Sequence, residues 1–338
     1  MKKKIICIEI VSMFLLTSFI ALPAVLSIGI TSDPNEIIID GDEGFKISPW
    51  VSNPDAAGTE NDPYIIEGYE VSRIYIKLTE AHFIIRDCRI SETYGTNLYN
   101  YQLVNFQGIQ NGKISHCIID YRNDEDKHIG IHFNTCPSPR VDSQNNIIEY
   151  CTITGNNQGI GILIDGAYNA IRHCEISEEE WCVKIFGWGN TVHNNNITNA
   201  ENGLQIYPDH SPDDTYPKNT IFLNNIFNIN DRYVWVPRHE KGGVIQKAKW
   251  FGLVGMKNMG NYWGDYDGTD LDNDGIGDTP YLILEGNIDT FPLMEQFSGK
   301  SKVKSVASIQ NLLERAPFLS SFIKIYQSFP VLNHLLNL

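Results

Sequence analysis

The chain has 338 residues, 42% of them hydrophobic, and a formal net charge of −15. That apolar share is enough for a core. The acidic balance argues against a nucleic-acid partner, because phosphate binding needs clustered Lys and Arg, and it suits an exported protein that meets cations or neutral polymers.

The first 28 residues read as a secretory signal, with lysines at 2–4, an apolar run over 5–22 broken by Glu9 and Ser12, and small residues near 24–27. The apolar run is long for a signal, so a retained N-terminal anchor is the alternative. Either reading puts the protein outside the cytoplasm, secreted or at the cell surface. Residues 29–62 follow, with a short apolar strand at 37–39 and turn-rich stretches at 53–58 and 60–63. A solenoid needs its first open edge covered, so this segment is expected to be an N-terminal cap.

From residue 63 a pattern recurs. A small or polar residue, any residue, then Ile closes each unit: Cys88 and Ile90, Cys117 and Ile119, Cys151 and Ile153, Cys174 and Ile176, Asn195 and Ile197, Asn224 and Ile226. The spacings are 29, 34, 23, 21 and 29 residues. Short runs of period 2 bounded by Gly and Asn, with no helical periodicity, predict β structure over 63–232. Units this short predict a solenoid, one coil per repeat, in which each strand pairs with its equivalent in the next coil. The fold class expected is therefore all-β: a parallel β-helix with caps at both ends and a short helical tail. Residues 159–176 show the unit at its plainest, with Ile160, Ile162 and Ile164 expected on the inner face.

Four cysteines, Cys88, Cys117, Cys151 and Cys174, share one repeat position, which favours a column of buried free thiols over a disulfide framework. A disulfide between neighbouring rungs, or one using Cys136 or Cys182, is the alternative. The asparagines at 194–196 and 224–225 are expected to form amide ladders between rungs.

In the first strand of each coil, residues alternate with the core positions and point outward. One outward column reads Tyr75, Asn105, His132, Leu163, Lys184, Gln205; the next reads Lys77, Gln107, Asn134, Asp165, Phe186, Tyr207. Polar groups mixed with aromatic rings on a long surface suit an extended polysaccharide and equally suit plain solvation. The candidate binding residues are Tyr75, Asn105, His132, Asp165, Lys184 and Gln205. Glycoside hydrolysis needs two carboxylates about 5–10 Å apart, and these columns supply only Asp165. Asp209, His210, Asp213 and Asp214 lie in an insertion beside the face and offer a second acid/base candidate.

Residues 233–298 break the repeat with an aromatic-rich segment that includes Trp235 and Trp250, expected to lay rings on the exposed end of the core. Within it, Asp270, Asp272, Asp274 and Asp278 with Gly275 and the backbone carbonyl of Ile276 match positions 1, 3, 5, 9, 6 and 7 of a calcium loop. Position 12 is Tyr281 instead of a bidentate Glu, and no helices flank the loop. The reading is a structural Ca2+ site without the hand. Residues 299–338 carry apolar residues at helical spacing, with Pro317 and Pro330 as stops, and a charge of +4. They predict amphipathic helices that dock on the protein's own body, a partner or a membrane surface.

DPYIIEGY at 62–69, the repeated rungs, and NYWGDY at 261–266 running into DLDNDGIGDTPY at 270–281 resemble secreted archaeal and bacterial right-handed parallel β-helix proteins of the NosD-like group, which contains carbohydrate-binding and sugar-hydrolase (CASH) repeat domains. The resemblance covers residues 37–297 and is most specific at 261–281. It implies right-handedness and export. It also implies that sugar hydrolases and epimerases on this fold use acidic residues, often with His, on one sheet. Pro208-Asp209-His210 departs from the Asp-Pro-His order associated with the epimerases, and no Met/His/Cys cluster carries over the metal-maturation role linked to NosD. The function expected is a monomeric, calcium-stabilised exported β-helix that binds polysaccharide or a cell-surface partner without catalysis. The alternatives are a polysaccharide lyase, glycoside hydrolase or epimerase, and a NosD-like metal-maturation accessory protein.

Overall fold

The computed structural model describes residues 35–91, 102–122, 127–138, 140–207, 217–236, 249–250, 252–254, 257–284 and 287–298. The signal at 1–28, the tail at 299–338 and the candidates Asp209, His210, Asp213 and Asp214 lie outside them.

The described chain is a right-handed parallel β-helix with three faces. The first face stacks Glu36–Asp40, Arg73–Thr79, Gln102–Ile109, Ile129–Asn134, Ile160–Ile164 and Trp181–Ile185, then the C-terminal halves of Asn196–Ile206 and Asn225–Trp235. The second stacks Tyr64–Glu67, Phe83–Arg86, Gly112–Ser115, Ile147–Glu149, Ala170–Arg172, Thr191–His193 and Thr220–Phe222. The third begins at Glu70–Val71 and runs through Arg89–Ile90, Ile118–Asp120, Thr152–Thr154 and Glu175–Ser177. It closes on the N-terminal halves of the two long strands and on Tyr262–Trp263. All pairing between coils on these faces is parallel. The alternating runs therefore send one apolar column per face inward: Ile37, Ile74, Val104, Ile131, Ile162, Val183 and Leu204 are all fully buried on the first.

The inward set on the first face differs from simple alternation at one position of the coil. Ile160 pairs with Ile129 and Trp181 and is half-buried, while the next residue, Gly161, turns inward. A Cβ at Gly161 would stand 2.7 Å from the Cys182 carbonyl oxygen, so the coil needs glycine there. The kink moves the residue before it out of the inner row.

Both ends are covered. The helix Gly41–Ile47 buries Phe45, which stacks on Tyr64 at 4.8 Å and meets Phe83 at 5.2 Å. The strand Glu36–Asp40 inside the expected cap is itself the first rung, because it pairs with Arg73–Thr79. At the other end Trp250 and Trp263 are fully buried, and Tyr281 stacks on Trp263 at 4.5 Å. Trp235 belongs to neither cap. It ends the last long strand in register with Gln205, so the aromatic segment that breaks the repeat begins on the solenoid wall.

The corner between the second and third faces holds the cysteines. Cys88, Cys117, Cys151 and Cys174 are buried free thiols in one column, and Cys136 and Cys182 are also buried and free. The same column continues as Asn195, Asn224 and Asn261. Asn195 Nδ2 donates to Asn224 Oδ1 at 2.9 Å, and Asn224 Nδ2 to Asn261 Oδ1 at 2.9 Å. A second ladder at the corner between the first and second faces joins Asn146, Asn169, Asn190 and Asn219 at 3.0–3.2 Å. Each asparagine also accepts the backbone N–H of the rung below, so one side chain accepts from the coil before it and donates to the coil after it. The ladder of the Cys column ends on Asp289, fully buried, whose carboxylate accepts from Asn261 N, Asn261 Nδ2, Trp263 Nε1 and Phe291 N.

Asn224→Ala is expected to cost about 3 kcal/mol, since it strands several buried donors and acceptors at once, whereas Asn230→Ala, which breaks the exposed pair with Glu201, should cost under about 0.5 kcal/mol. Chemical denaturation of the two variants checks this, and equal costs would contradict it. Burial pushes the Asp289 carboxyl up to about 6 despite its four donors. The folded state then holds its proton more tightly than the unfolded chain does. This contribution to stability is full below about pH 4, the ordinary carboxylate value, and is lost as pH rises to about 6. In Asp289→Asn, which cannot ionise, the melting temperature should lose that slope between pH 4 and 6; an unchanged slope would sink the assignment.

Candidate polysaccharide site and acidic loop

The register places the first outward column as read from the sequence: Tyr75, Asn105, His132, Leu163, Lys184 and Gln205 stand on successive coils, and Trp235 extends the row. In the neighbouring column Asp40, Lys77, Gln107 and Asn134 follow one another, then Asp165, Phe186 and Tyr207.

The middle of the face gathers chemistry. His132 is 6% exposed, and its Nε2 lies 3.0 Å from Asp165 Oδ2. The Thr135 hydroxyl lies 3.0 Å from the Asp165 carbonyl oxygen and 3.2 Å from Asp142 Oδ1. Ser143 pairs with Gly166, so the aspartates preceding them stand on neighbouring coils. Asp40, the other carboxylate of that column, is four rungs from Asp165, roughly 19 Å at the usual strand spacing, and is held by Lys77 at 2.8 Å. Toward the N-terminal end, the Tyr75 hydroxyl donates to Gln107 Oε1. The Arg73 guanidinium lies over the Tyr75 ring at 5.6 Å.

The C-terminal half of the face is aromatic. Phe186 and Tyr207 stack at 3.8 Å, Tyr207 meets Trp235 edge-on at 6.0 Å, and Trp235 lies 5.9 Å from Trp181. Lys184 Nζ sits over the Trp181 ring at 5.1 Å, and its burial lowers its pKa from the ordinary lysine value. The sequence reading missed three of these groups. Trp181 precedes the run that alternation picks out, and the bulge that displaces its column leaves no mark in the periodicity. Trp235 was placed in the cap. Asp142 sits at the end of the insertion formed by the hairpin Cys136–Pro137 with Arg140–Val141, and only the pairing of Ser143 returns it to the wall. A pair of Trp residues near the outward columns was the available signal for the first two.

Several polar atoms on this face are buried and have no hydrogen-bond partner: Arg73 Nε, Gln102 Oε1, Asn105 Oδ1, His132 Nδ1, Asn202 Oδ1 and Gln205 Oε1. Gln205 is 1% exposed and Asn202 5%. A buried polar group without a partner costs about 1–3 kcal/mol. Six such atoms of the described residues lie along this one face.

The acidic loop is separate from this face. One carboxylate oxygen each from Asp270, Asp272 and Asp274 lie within 4.8 Å of one another. Gly275 carries φ +88°, and its N–H donates to Asp270 Oδ2, which holds the Asp270 carboxyl below its ordinary range. Asp278 is engaged differently: its Oδ2 accepts the Leu271 N–H at 2.7 Å. The Ile276 N–H donates to Asp274 Oδ1, and Lys257 Nζ lies 3.0 Å from Asp274 Oδ2. Tyr281, at the twelfth position, gives its hydroxyl to Asp265 and its ring to Trp263. The three gathered carboxylates supply hard oxygens, three of the roughly six to eight that Ca2+ takes.

The fold and this face define a parallel β-helix with a long, partly aromatic outer wall. A family model described as rhamnogalacturonase A/epimerase, pectate lyase-like, matches residues 28–205. The match covers more than half of the chain, and the protein belongs to this pectate lyase-like β-helix family. It spans the outward columns through Gln205 and stops before Trp235 and the acidic loop. A search of the curated proteins finds no match.

Proposed function

We propose that the protein is an exported β-helix that binds an extended polysaccharide along the outward columns of its first face, with Ca2+ fixing the loop that carries Asp270, Asp272 and Asp274. The observation that carries this reading is the row of buried, partnerless polar atoms along one face, the last of them, Asn202 and Gln205, among the coils that carry the Trp181, Phe186, Tyr207 and Trp235 rings. Sugar hydroxyls supply the missing partners, and the apolar faces of pyranose rings pack on aromatic side chains. The family supports a polysaccharide-related role; binding without turnover, export and calcium belong to the proposal, as does the closer kinship to the NosD-like and CASH proteins.

One observation favours a second reading, in which the face also acts on the chain it binds. His132 Nε2 lies 3.0 Å from Asp165 Oδ2, and Asp142 supplies a second carboxylate one coil away, so an imidazole and two carboxylates gather at the centre of the face.

Trp235→Ala should weaken polysaccharide binding about tenfold or more, from the loss of one large stacking surface; affinity electrophoresis against a glycan panel measures it, and undiminished binding would remove the platform from the proposal. Asp165→Asn separates the two readings. If the protein only binds, wild type releases no reducing ends or unsaturated products from any glycan that it retains. If it turns its ligand over, the variant should lose at least about a hundredfold in rate, the scale of general-base catalysis, while binding stays within a few-fold. For the loop, millimolar Ca2+ should raise the melting temperature and EGTA should reverse the rise, and a temperature indifferent to both would refute the site.

A further inference from the structure

We infer that the row on the first face selects an uncharged, hydroxyl-rich glycan over a uronate polymer; this rests on the binding reading above. The first argument is the sign of the missing partners. Of the partnerless atoms in the row, Gln102 Oε1, Asn105 Oδ1, Asn202 Oδ1 and Gln205 Oε1 are acceptors, and Arg73 Nε is a donor. His132 Nδ1 joins the acceptors when the ring's Nε2–H is given to Asp165. An acceptor is satisfied by a hydroxyl proton. A carboxylate brings only further acceptors and would leave these acceptors unpaired.

The second argument is charge. Three cations of this face are engaged, Lys77 by Asp40 at 2.8 Å, Arg232 by Asp231 at 3.3 Å and Lys184 by the Trp181 ring, while Arg73, whose Nε has no partner, keeps a 4.0 Å contact with Glu36. Asp165 adds a partly exposed negative group at the centre. A chain of net charge −15 repels a polyanion before contact as well. The third argument is the aromatic half, because a ring face favours the C–H face of a neutral sugar and repels an anion by its quadrupole.

The test is affinity electrophoresis of the full chain in gels containing either uncharged polymers (a β-glucan, a galactan, a mannan) or uronate homopolymers (polygalacturonate, alginate). The expected result is retardation by at least one uncharged polymer and none by the uronates. Gln205→Met, near in shape but without the acceptor, and Trp235→Ala should each raise the dissociation constant about tenfold, with circular dichroism confirming that both fold. Stronger retardation by a uronate polymer, lost in Lys184→Ala, would overturn the inference and leave the face as a glycan site. Retardation that neither Gln205→Met nor Trp235→Ala changes would place binding elsewhere and overturn it too. No retardation by any polymer would overturn both this inference and the reading on which it rests.

Discussion

The need to satisfy corner backbone groups inside a stack, where no water reaches, governs this molecule. A parallel coil turns sharply between faces, and at each turn the N–H and C=O groups leave the strand ladder. The asparagine ladders answer this by giving each buried amide to the rung on one side and taking a backbone N–H from the other. That arrangement works only if neighbouring coils stay in register. The same register aligns the outward columns, so the chemistry of the surface face depends on hydrogen bonds buried at the corners.

The two halves of the Cys column show how context changes the solution at one position. Over the earlier coils the column is filled by thiols whose Sγ atoms lie near the carbonyl oxygens two residues back. From Asn195 onward amides take over and pass their bonds to Asp289 under the C-terminal cap. The sulfur half is a column of small hydrophobes, and the amide half is a polar network whose last member is a buried carboxyl. A network of this kind is strong while complete and costly once a member is removed, which ties the last coils to the cap.

On the outer surface the same coil spacing produces a face with two characters. Its N-terminal and middle coils carry amides, His132 and Asp165; its last coils carry rings. Neither part is assembled by local sequence. His132 and Asp165 meet across neighbouring coils, and Trp181 and Trp235 approach across three.

Read as a sequence, the chain determined the solenoid, because the period-2 runs, the recurrent Cys-x-Ile and Asn-x-Ile closures and their spacing leave few ways to bury so many isoleucines. It also determined the outward columns, since alternation assigns Tyr75, Asn105, His132, Lys184 and Gln205 to one row once strands are known to stack in parallel. The acidic loop was legible from spacing alone, since Asp270, Asp272 and Asp274 gather as the spacing implies, while Tyr281 at the twelfth position serves the cap through Trp263 and Asp265. Tertiary structure decided what alternation cannot express. A bulge repeated on successive coils, at Leu103, Gly130, Gly161 and Cys182, takes the residue before it out of the inner row, Trp181 included, the hairpin after Cys136 returns Asp142 to the wall, and the last strand runs on to Trp235. Each depends on backbone contacts between coils, such as the carbonyl that lies where a Gly161 Cβ would be, and those contacts exist only after the coils have stacked.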